Sequence, residues 1–246
     1  MWIAALAIGA GVGFLAGLFG KGGSAIATPL LHAAGFPAIV ALASPLPATI
    51  PSTLAAGLAY AQDDLVDRHV LRWSVAFGAP ATLAGAIATR WVGGGALVSA
   101  TDVIVAALGV RFLFGRQSPQ EVMREISAPR LRLALVATTV GFAAGLLANS
   151  GGFLLAPLYL AALRMPIKQA FATSLMVSAV LAVPGTIAHA ALGHIDWGLV
   201  AVFGAASIPL SFVGGRVAVR ANPARLERFY GLALTALGTT MLVVAR

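Results

Sequence analysis

The chain has 246 residues, of which 59% are hydrophobic and only 10% are charged, and its mean hydropathy is +0.93. A soluble domain carries about 25% charged residues, so this composition excludes a soluble globular protein and predicts an integral membrane protein. The absence of cysteine excludes disulfides, thiolate metal sites and thiol catalysis.

The net charge of +8 raises the question of nucleic acid as a partner. The basic residues lie at the ends of apolar runs, however, where they orient a membrane protein. We therefore predict a lipid bilayer as the environment and no nucleic-acid partner. No pattern in the sequence indicates a cofactor or a metal site.

The first half begins with an apolar run that is interrupted at Lys21, Gly22, Gly23 and Ser24. The piece after the interruption, 25–35, is too short to cross about 30 Å of hydrocarbon as a straight helix. We predict a first repeat at 1–114 that consists of a hairpin and three spans. The hairpin occupies 2–35, and the spans occupy 38–60, 73–92 and 96–114.

The second half repeats this order after a basic, polar linker at 115–130, with its interruption at Asn149, Ser150, Gly151 and Gly152. We predict a second repeat at 131–246, with a hairpin at 131–163 and spans at 167–192, 197–217 and 226–245. Glycines and prolines match at a constant offset, first 128 and later 129 residues. The matched pairs include Gly13 with Gly141, Gly17 with Gly145, Gly23 with Gly151, Pro29 with Pro157, Pro80 with Pro209 and Gly85 with Gly214.

The distribution of Lys and Arg chooses between two topologies. If each interrupted run were one span, the basic residues would divide almost evenly between the two sides. If each run enters the membrane and returns, all of them except Arg90 and Arg246 lie on one side, with Lys21 left out because it lies in the interruption. Positive residues accumulate on the cytoplasmic side, which favours hairpins and places the linker there. The fold class is then an all-α membrane protein with two inverted repeats.

Two inverted hairpins enter the membrane from opposite faces, so their tips, Lys21–Ser24 and Asn149–Gly152, are predicted to approach each other near the midplane. Each tip precedes the N-terminus of a short helix, whose first N–H groups lack internal partners and carry partial positive charge. Two such ends facing one cavity form an anion site, and Lys21 would add a full charge. The alternative is that Gly and Ser only permit close helix packing while Lys21 reaches an aqueous edge.

Hydroxyl groups on the long segments are further candidates for substrate binding. Thr173 and Ser174, together with Ser44 at the position equivalent to Thr173, could face the same cavity, or could bond only their own helix backbone. Asp102 is an acidic residue well inside a predicted span. It could carry a coupling proton, or could hydrogen-bond to a neighbouring helix.

The two tip motifs, GLFGKGGSAIATPLL and GLLANSGGFLLAPLYL, resemble those of the TauE/SafE family of sulfite and organosulfonate exporters. The run AFATSLM, from Ala170 to Met176, is a second shared element. The resemblance covers nearly the whole chain, although Lys21 and Ser24 depart from the usual apolar and glycine residues of the tip. It implies export of a small sulfur-containing anion across the cytoplasmic membrane.

The leading hypothesis is thus a multi-pass secondary transporter of a small anion that works by alternating access at the repeat interface. The alternatives are an anion channel, a transporter of another anion such as a carboxylate, an intramembrane enzyme and a scaffold. The sequence shows no nucleophile with a base and no HExxH motif, so we do not expect an enzyme. The exact substrate, the coupling ion, the transport direction and the choice between a monomer and a homo-oligomer stay open. So does the question of whether the hairpin arms cross the membrane completely.

Overall fold

The computed structural model describes residues 1–20, 24–92 and 130–226, together with a few positions outside these ranges. These parts consist of helices and turns, with no strand. The helices are α1 (Trp2–Phe19), α2 (Ser24–Ala33), α3 (Ala38–Ala43), α4 (Pro45–Ala61), α5 (Arg68–Ala88, continued by a 3₁₀ turn at Thr89–Trp91), α6 (Arg130–Leu146), α7 (Gly152–Ala162), α8 (Ile167–Ala191) and α9 (Trp197–Arg220). The predicted span 96–114, nearly all of the linker 115–130 and most of the span 226–245 lie outside the described residues.

Among the described residues, five stretches are long and apolar enough to cross a membrane: α1, α3 with α4, α5 with its 3₁₀ turn, α8 and α9. Large apolar side chains face outward along them, and Ile3, Leu58 and Ile187 are each more than 60% exposed. Hydroxyl groups are turned inward instead, and Ser52, Thr82 and Ser211 are typical buried examples. Apolar surface outside and hydroxyl groups inside is the arrangement expected of a membrane protein. The predicted all-α membrane class is confirmed.

Both interrupted runs form hairpins that return to the end at which they began. The chain at Gly35, just after α2, lies beside Met1, and the Arg132 guanidinium at the start of α6 donates a hydrogen bond to the Ala162 carbonyl at the end of α7. The 18 residues of α1 rise about 27 Å, whereas the 10 residues of α2 rise only about 15 Å. A long arm therefore nearly crosses the hydrocarbon, and a short arm returns from mid-depth.

The polar loop before α5 is shorter than the sequence pattern indicates. The helix begins at Arg68, ahead of the predicted start at residue 73, because the Asp67 carboxylate accepts hydrogen bonds from the N–H groups of His69 and Val70. Asp196 caps α9 in the same way through Leu199. Side-chain acceptors at these positions satisfy N–H groups that a helix start leaves unpaired.

The long arm of each hairpin packs against a helix of the other half through glycine. A Cβ atom at Gly17 of α1 would overlap the carbonyl oxygen of Ser211 in α9, and one at Gly145 of α6 would overlap that of Thr82 in α5. These two contacts are equivalent, because Gly145 follows Gly17 by 128 positions and Ser211 follows Thr82 by 129. The matched glycines of the sequence therefore hold the halves together by close backbone approach.

Contacts along the helices give their relative directions. Residue numbers rise together along α1 with α9, along α4 with α9, along α5 with α6 and along α5 with α8, so these pairs are parallel. They run in opposite order along α4 with α8. The contacts are Gly9–Phe203, Gly13–Ser207, Ala48–Gly204, Ala56–Gly215, Gly78–Gly141, Thr82–Gly145, Asp67–Thr173, Gly78–Leu181, Leu46–Gly185 and Gly57–Met176. Corresponding helices of the two halves thus run in opposite directions, and the inverted repeats and their bounds stay predictions.

One end of the bundle is basic. There the Arg130 guanidinium lies 5.4 Å from the Trp73 ring centre, and the Lys168 ammonium donates to the Val219 carbonyl at 2.7 Å. We call this the basic end, and the end with Met1, Gly35 and Arg90 the opposite end. Positive residues mark the cytoplasmic side, so the arrangement agrees with the predicted orientation. The described basic residues at the basic end include Arg68, Arg72, Arg130, Arg132, Arg164, Lys168, Arg216 and Arg220.

We predict that Gly17→Val destabilises the protein, because the backbone of α9 leaves no space for the added methyl groups. Overpacking a tight contact costs about 1–3 kcal/mol, so the melting temperature in detergent should fall by several degrees. Gly11→Val is the matched control, since a Cβ atom there has no neighbour within 4 Å. Equal melting temperatures for the two variants would contradict the glycine-mediated contact.

Candidate functional site

The tips of the two hairpins meet inside the protein. The N–H group of Ser150 donates a hydrogen bond to the Ser24 side-chain oxygen at 3.3 Å, although these residues are 126 positions apart. Both residues are fully buried. The Ser24 hydroxyl hydrogen remains available to donate in turn. The structure therefore joins the two interruptions of the sequence at one place.

The backbone of the second tip is held in an unusual conformation. Ala148 has a φ of 44° and Gly151 a φ of 75°, so both are left-handed. The Asn149 side-chain oxygen accepts a hydrogen bond from the Gly151 N–H at 2.7 Å. Since a backbone N–H can only donate, this bond fixes the orientation of the Asn149 amide and directs its Nδ2 group away from Gly151. A left-handed alanine is strained, and such strain is typical of functional sites.

Two buried side-chain groups at this tip have no hydrogen-bond partner among the residues that the structure describes, namely Asn149 Nδ2 and Ser150 Oγ. Asn149 is 1% exposed and Ser150 is 0% exposed. A buried polar group without a partner is costly, because it has lost its hydrogen bonds to water. Such groups are rare in native structures and each calls for an explanation, such as a ligand that completes the bonds. Both groups can donate, so an acceptor-rich ligand suits them.

Helix α7 adds backbone donors beside these side chains. It begins at Gly152 without a side-chain cap from Gly151, and the Gly151 carbonyl accepts from Leu154 and Leu155. The N–H groups of Gly152 and Phe153, in the first turn, have no acceptor among the described residues. Such groups and the helix dipole favour an anion. The second tip thus carries both backbone and side-chain donors within five consecutive residues, and Ser150 among them is bonded to Ser24.

Apolar clusters cover the tips toward both ends of the bundle. On the first tip's side, the Phe19 and Phe171 rings lie 5.4 Å and 5.3 Å from the Tyr230 ring, between centres. On the second tip's side, Leu42 packs with Leu147 and Phe153. In the part of the chain that the structure describes, the donors of the second tip are closed to solvent from either side. No three His, Asp or Glu side chains of these residues are grouped closely enough to hold a metal ion.

Comparison with known proteins identifies the family. A family model described as "Sulfite exporter TauE/SafE" matches residues 5–241. The chain belongs to the TauE/SafE family. It is 30% identical over 243 residues to a probable membrane transporter protein of Xylella fastidiosa strain 9a5c, covering 93% of this chain and 91% of the relative. The corresponding protein of strain Temecula1 is also 30% identical, with the same coverage.

A shorter match links the TauE/SafE chain to a protein of another bacterium. The probable membrane transporter protein YunE of Bacillus subtilis strain 168 is 30% identical over 87 residues, covering 35% of this chain and 30% of the relative. No solved structure shows significant similarity to the chain. Family and relatives together show that this TauE/SafE protein is a multi-pass membrane transporter.

Ser174 holds the first tip of the TauE/SafE chain in place. Its hydroxyl lies within hydrogen-bond distance of two carbonyl oxygens, that of Gly20 at the end of α1 and that of Phe171 in its own helix. Gly20 has a φ of 64° and lies directly against Phe171, so a side chain there would overlap the helix. Ser174 therefore lies close to the first tip, but its hydrogen is already used by the backbone, and its role as a ligand stays a prediction.

Ser44 and Thr173 occupy equivalent places at opposite ends of the bundle rather than at the tips. The Ser44 hydroxyl oxygen accepts from the Asp196 N–H, and that of Thr173 accepts from the Asp67 N–H, both at 2.9 Å. Each bond fixes the loop that leads into the next long helix. The role of Ser44 and Thr173 as ligands stays a prediction.

Three predicted tip residues, Lys21, Gly22 and Gly23, lie outside the described residues, as does Asp102. Their contribution to the site stays a prediction. The structure adds Ser178 to the candidates that the sequence suggested. Its buried hydroxyl has no partner, and it follows Ser174 by one turn on the same face of α8. A buried serine in an apolar helix gave no separate signal, because most such serines bond their own backbone.

We predict opposite effects on stability for Ser150→Ala and Ser174→Ala in the unliganded protein. Removing an unpartnered buried hydroxyl should leave the melting temperature unchanged or raise it, because a desolvated group disappears. Removing the Ser174 hydroxyl should lower the free energy of unfolding by about 1 kcal/mol, because its hydrogen bonding to the Gly20 and Phe171 carbonyls is lost. Thermal unfolding in detergent measures both. A clear loss of stability in Ser150→Ala would show that its hydroxyl has a partner within the protein.

Proposed function

We propose that this transporter exports a small sulfur-containing anion, sulfite or an organosulfonate, across the cytoplasmic membrane by alternating access. The observation that carries the proposal is the pair of unpartnered, buried donors at Asn149 and Ser150, next to Ser24 of the opposite hairpin. Donors without partners mark the place where a ligand with several acceptor atoms completes the structure.

The donor set suits an oxyanion with several equivalent oxygens. The donors are the Asn149 amide, the hydroxyls of Ser24 and Ser150 and the first N–H groups of α7, and no described residue of the two tips is acidic. A sulfonate or sulfite has three oxygens around one sulfur atom, and each oxygen can accept from this set. Burying an anion costs too much free energy unless such donors are present. A buried cation would need a negatively charged partner instead, so this set of groups favours anions over cations.

The closure of the site supports a transporter over a channel. A channel needs a continuous aqueous path, whereas apolar clusters cover the described part of the site toward both ends. Alternating access needs closures that open in turn. Each hairpin contacts the other half through Gly17 or Gly145, so movement of one half against the other would expose the tips to one side at a time.

A thermal-shift screen of the purified protein tests the substrate class. We expect sulfite and sulfoacetate to raise the melting temperature more than taurine does, because no carboxylate lies among the described tip residues to pair with the taurine ammonium group. At about 100 times Kd the stabilisation amounts to about 2.7 kcal/mol. Ser150→Ala should weaken sulfoacetate binding about 10- to 150-fold, the loss of one hydrogen bond to a charged group. Ser74→Ala is a control, because Ser74 is bonded to Tyr159 away from the tips.

Other outcomes of the ligand screen and of the Ser150→Ala measurement would change the proposal. Stabilisation by carboxylates alone would keep the anion site but exclude sulfur compounds as substrates. Flat melting curves with every sulfur oxyanion, beside a shift with a cation or a neutral solute, would overturn the proposed function. Equal affinities in the wild type and Ser150→Ala would move the site away from the tips.

A further inference from the structure

Two histidines form a hydrogen-bonded pair where α8 ends and the loop to α9 begins. The Nδ1 atoms of His189 and His194 lie 3.1 Å apart, and the ring centres are 5.3 Å apart. His189 is completely buried, whereas His194 is partly exposed. The second ring nitrogen of His189, Nε2, lies 3.2 Å from the carbonyl oxygen of Gly145 in α6.

These contacts fix where the protons are. A carbonyl oxygen only accepts, so Nε2 of His189 carries a hydrogen and, in the neutral ring, Nδ1 is an acceptor. Nδ1 of His194 then carries the hydrogen between the two rings. An additional proton fits on Nε2 of His194 without breaking either bond. A second additional proton would place two N–H groups face to face, so the pair binds one proton as a unit.

The pair acts directly on the second hairpin. The Gly145 carbonyl that His189 contacts also accepts from the Ala148 N–H at 3.1 Å, and the Ala144 carbonyl beside it accepts from the Asn149 N–H at 2.8 Å. This is the turn that leads into the second tip. A charged His194 makes a stronger hydrogen bond to His189, and the neighbouring bond to Gly145 is strengthened by polarisation. Proton binding therefore favours the state in which the hairpin is docked on α8.

The first half of the chain has the same contact without a titratable group. Tyr60 occupies the position equivalent to His189, at the offset of 129, and its hydroxyl donates to the Gly17 carbonyl at 3.1 Å. Gly17 is in turn the equivalent of Gly145. A tyrosine hydroxyl does not titrate in the physiological range, whereas histidine does. The two hairpins thus have the same anchor, and only the second anchor can respond to protons.

The surroundings of the pair contain few other charges. The remaining titratable or charged groups that the structure describes at this end are Asp196, Arg90, His32 and the amino terminus. The Asp196 carboxylate caps α9 through Leu199, and the Arg90 guanidinium lies 5.4 Å from the Trp91 ring. In α6 the basic groups lie at the far end, and the titratable residue of α7, Tyr159, bonds Ser74. Burial lowers the pKa of His194 below its ordinary value of 6.5. The additional proton is therefore bound as the pH falls below that value, and it is lost as the pH rises.

We propose that His189 and His194 form a proton-binding site that couples one proton to the position of the second hairpin, and so to anion transport. The inference rests on the proposed function, since it names the coupling ion for the same tips. It also makes the end opposite the basic one the side from which the proton enters, because His194 is the exposed member of the pair there.

Uptake of radiolabelled sulfoacetate into proteoliposomes between about pH 5 and about pH 8 tests the proposal, since the range extends below the ordinary histidine pKa and the sulfoacetate carboxylate stays largely ionised over it. We expect the wild-type rate to change several-fold with pH. His189→Tyr should flatten this profile, because the tyrosine hydroxyl can keep the bond to Gly145, as Tyr60 bonds Gly17. His194→Gln should flatten the pH profile as well, and it provides the test if His189→Tyr does not fold. His32→Gln is the matched control, since His32 bonds Phe36 within its own hairpin at the same end, and its profile should follow the wild type.

An identical pH profile in the wild type, His189→Tyr and His194→Gln would overturn the proton-binding site while leaving anion transport intact. Absence of flux in the wild type at every pH would instead count against the proposed function. In that case, nitrogen NMR of protein labelled at histidine, serine and glycine shows whether His189 and His194 bind a proton together. One shared titration of His189 and His194, with Ser150 and Gly151 amide signals shifting in step, supports the site. No titration, or a titration that leaves the tip signals unchanged, overturns it.

Discussion

Close backbone contact at two glycines determines how this membrane protein is built. Gly17 lies against Ser211 of α9, and Gly145 lies against Thr82 of α5, with no space for a side chain in either contact. Without a hydrophobic force between helices in lipid, such close approach is a main source of helix association. Each contact joins a hairpin to the opposite half of the chain. The position of both tips, and hence of the site, depends on these contacts.

An interrupted helix in a membrane must satisfy its backbone within the protein. The tips do this only in part. The Ser150 N–H is bonded to Ser24 and the Asn149 oxygen to the Gly151 N–H, but the side-chain donors of Asn149 and Ser150 have no partner in the described part of the chain. A native protein keeps such groups where a ligand completes them. These buried donors are the reason for proposing an anionic substrate over one with an ammonium group.

The sequence predicted the hairpins and the meeting of their tips, because glycine and proline repeat at a constant offset and the basic residues fall on one side. It did not predict the start of α5, since Asp67 was placed in a polar loop although its carboxylate caps the helix. The loop bonds of Ser44 and Thr173 also escaped prediction, because their partners are more than 100 positions away. The sequence also carried no sign that Tyr60 and His189 make equivalent contacts, because a tyrosine bonds the Gly17 carbonyl and a histidine bonds the Gly145 carbonyl.

The central claim is that an anion binds between the two hairpin tips. A crystal structure with bromomethanesulfonate tests it most directly, because the bromine atom is located by its anomalous scattering, whatever the interpretation of the surrounding density. An anion site at the tips predicts a bromine peak within the bundle, beside a sulfonate that Ser24, Asn149 and Ser150 contact. A bromine peak only among the arginine side chains of the basic end, with the tips empty at a concentration that stabilises the protein, would contradict it.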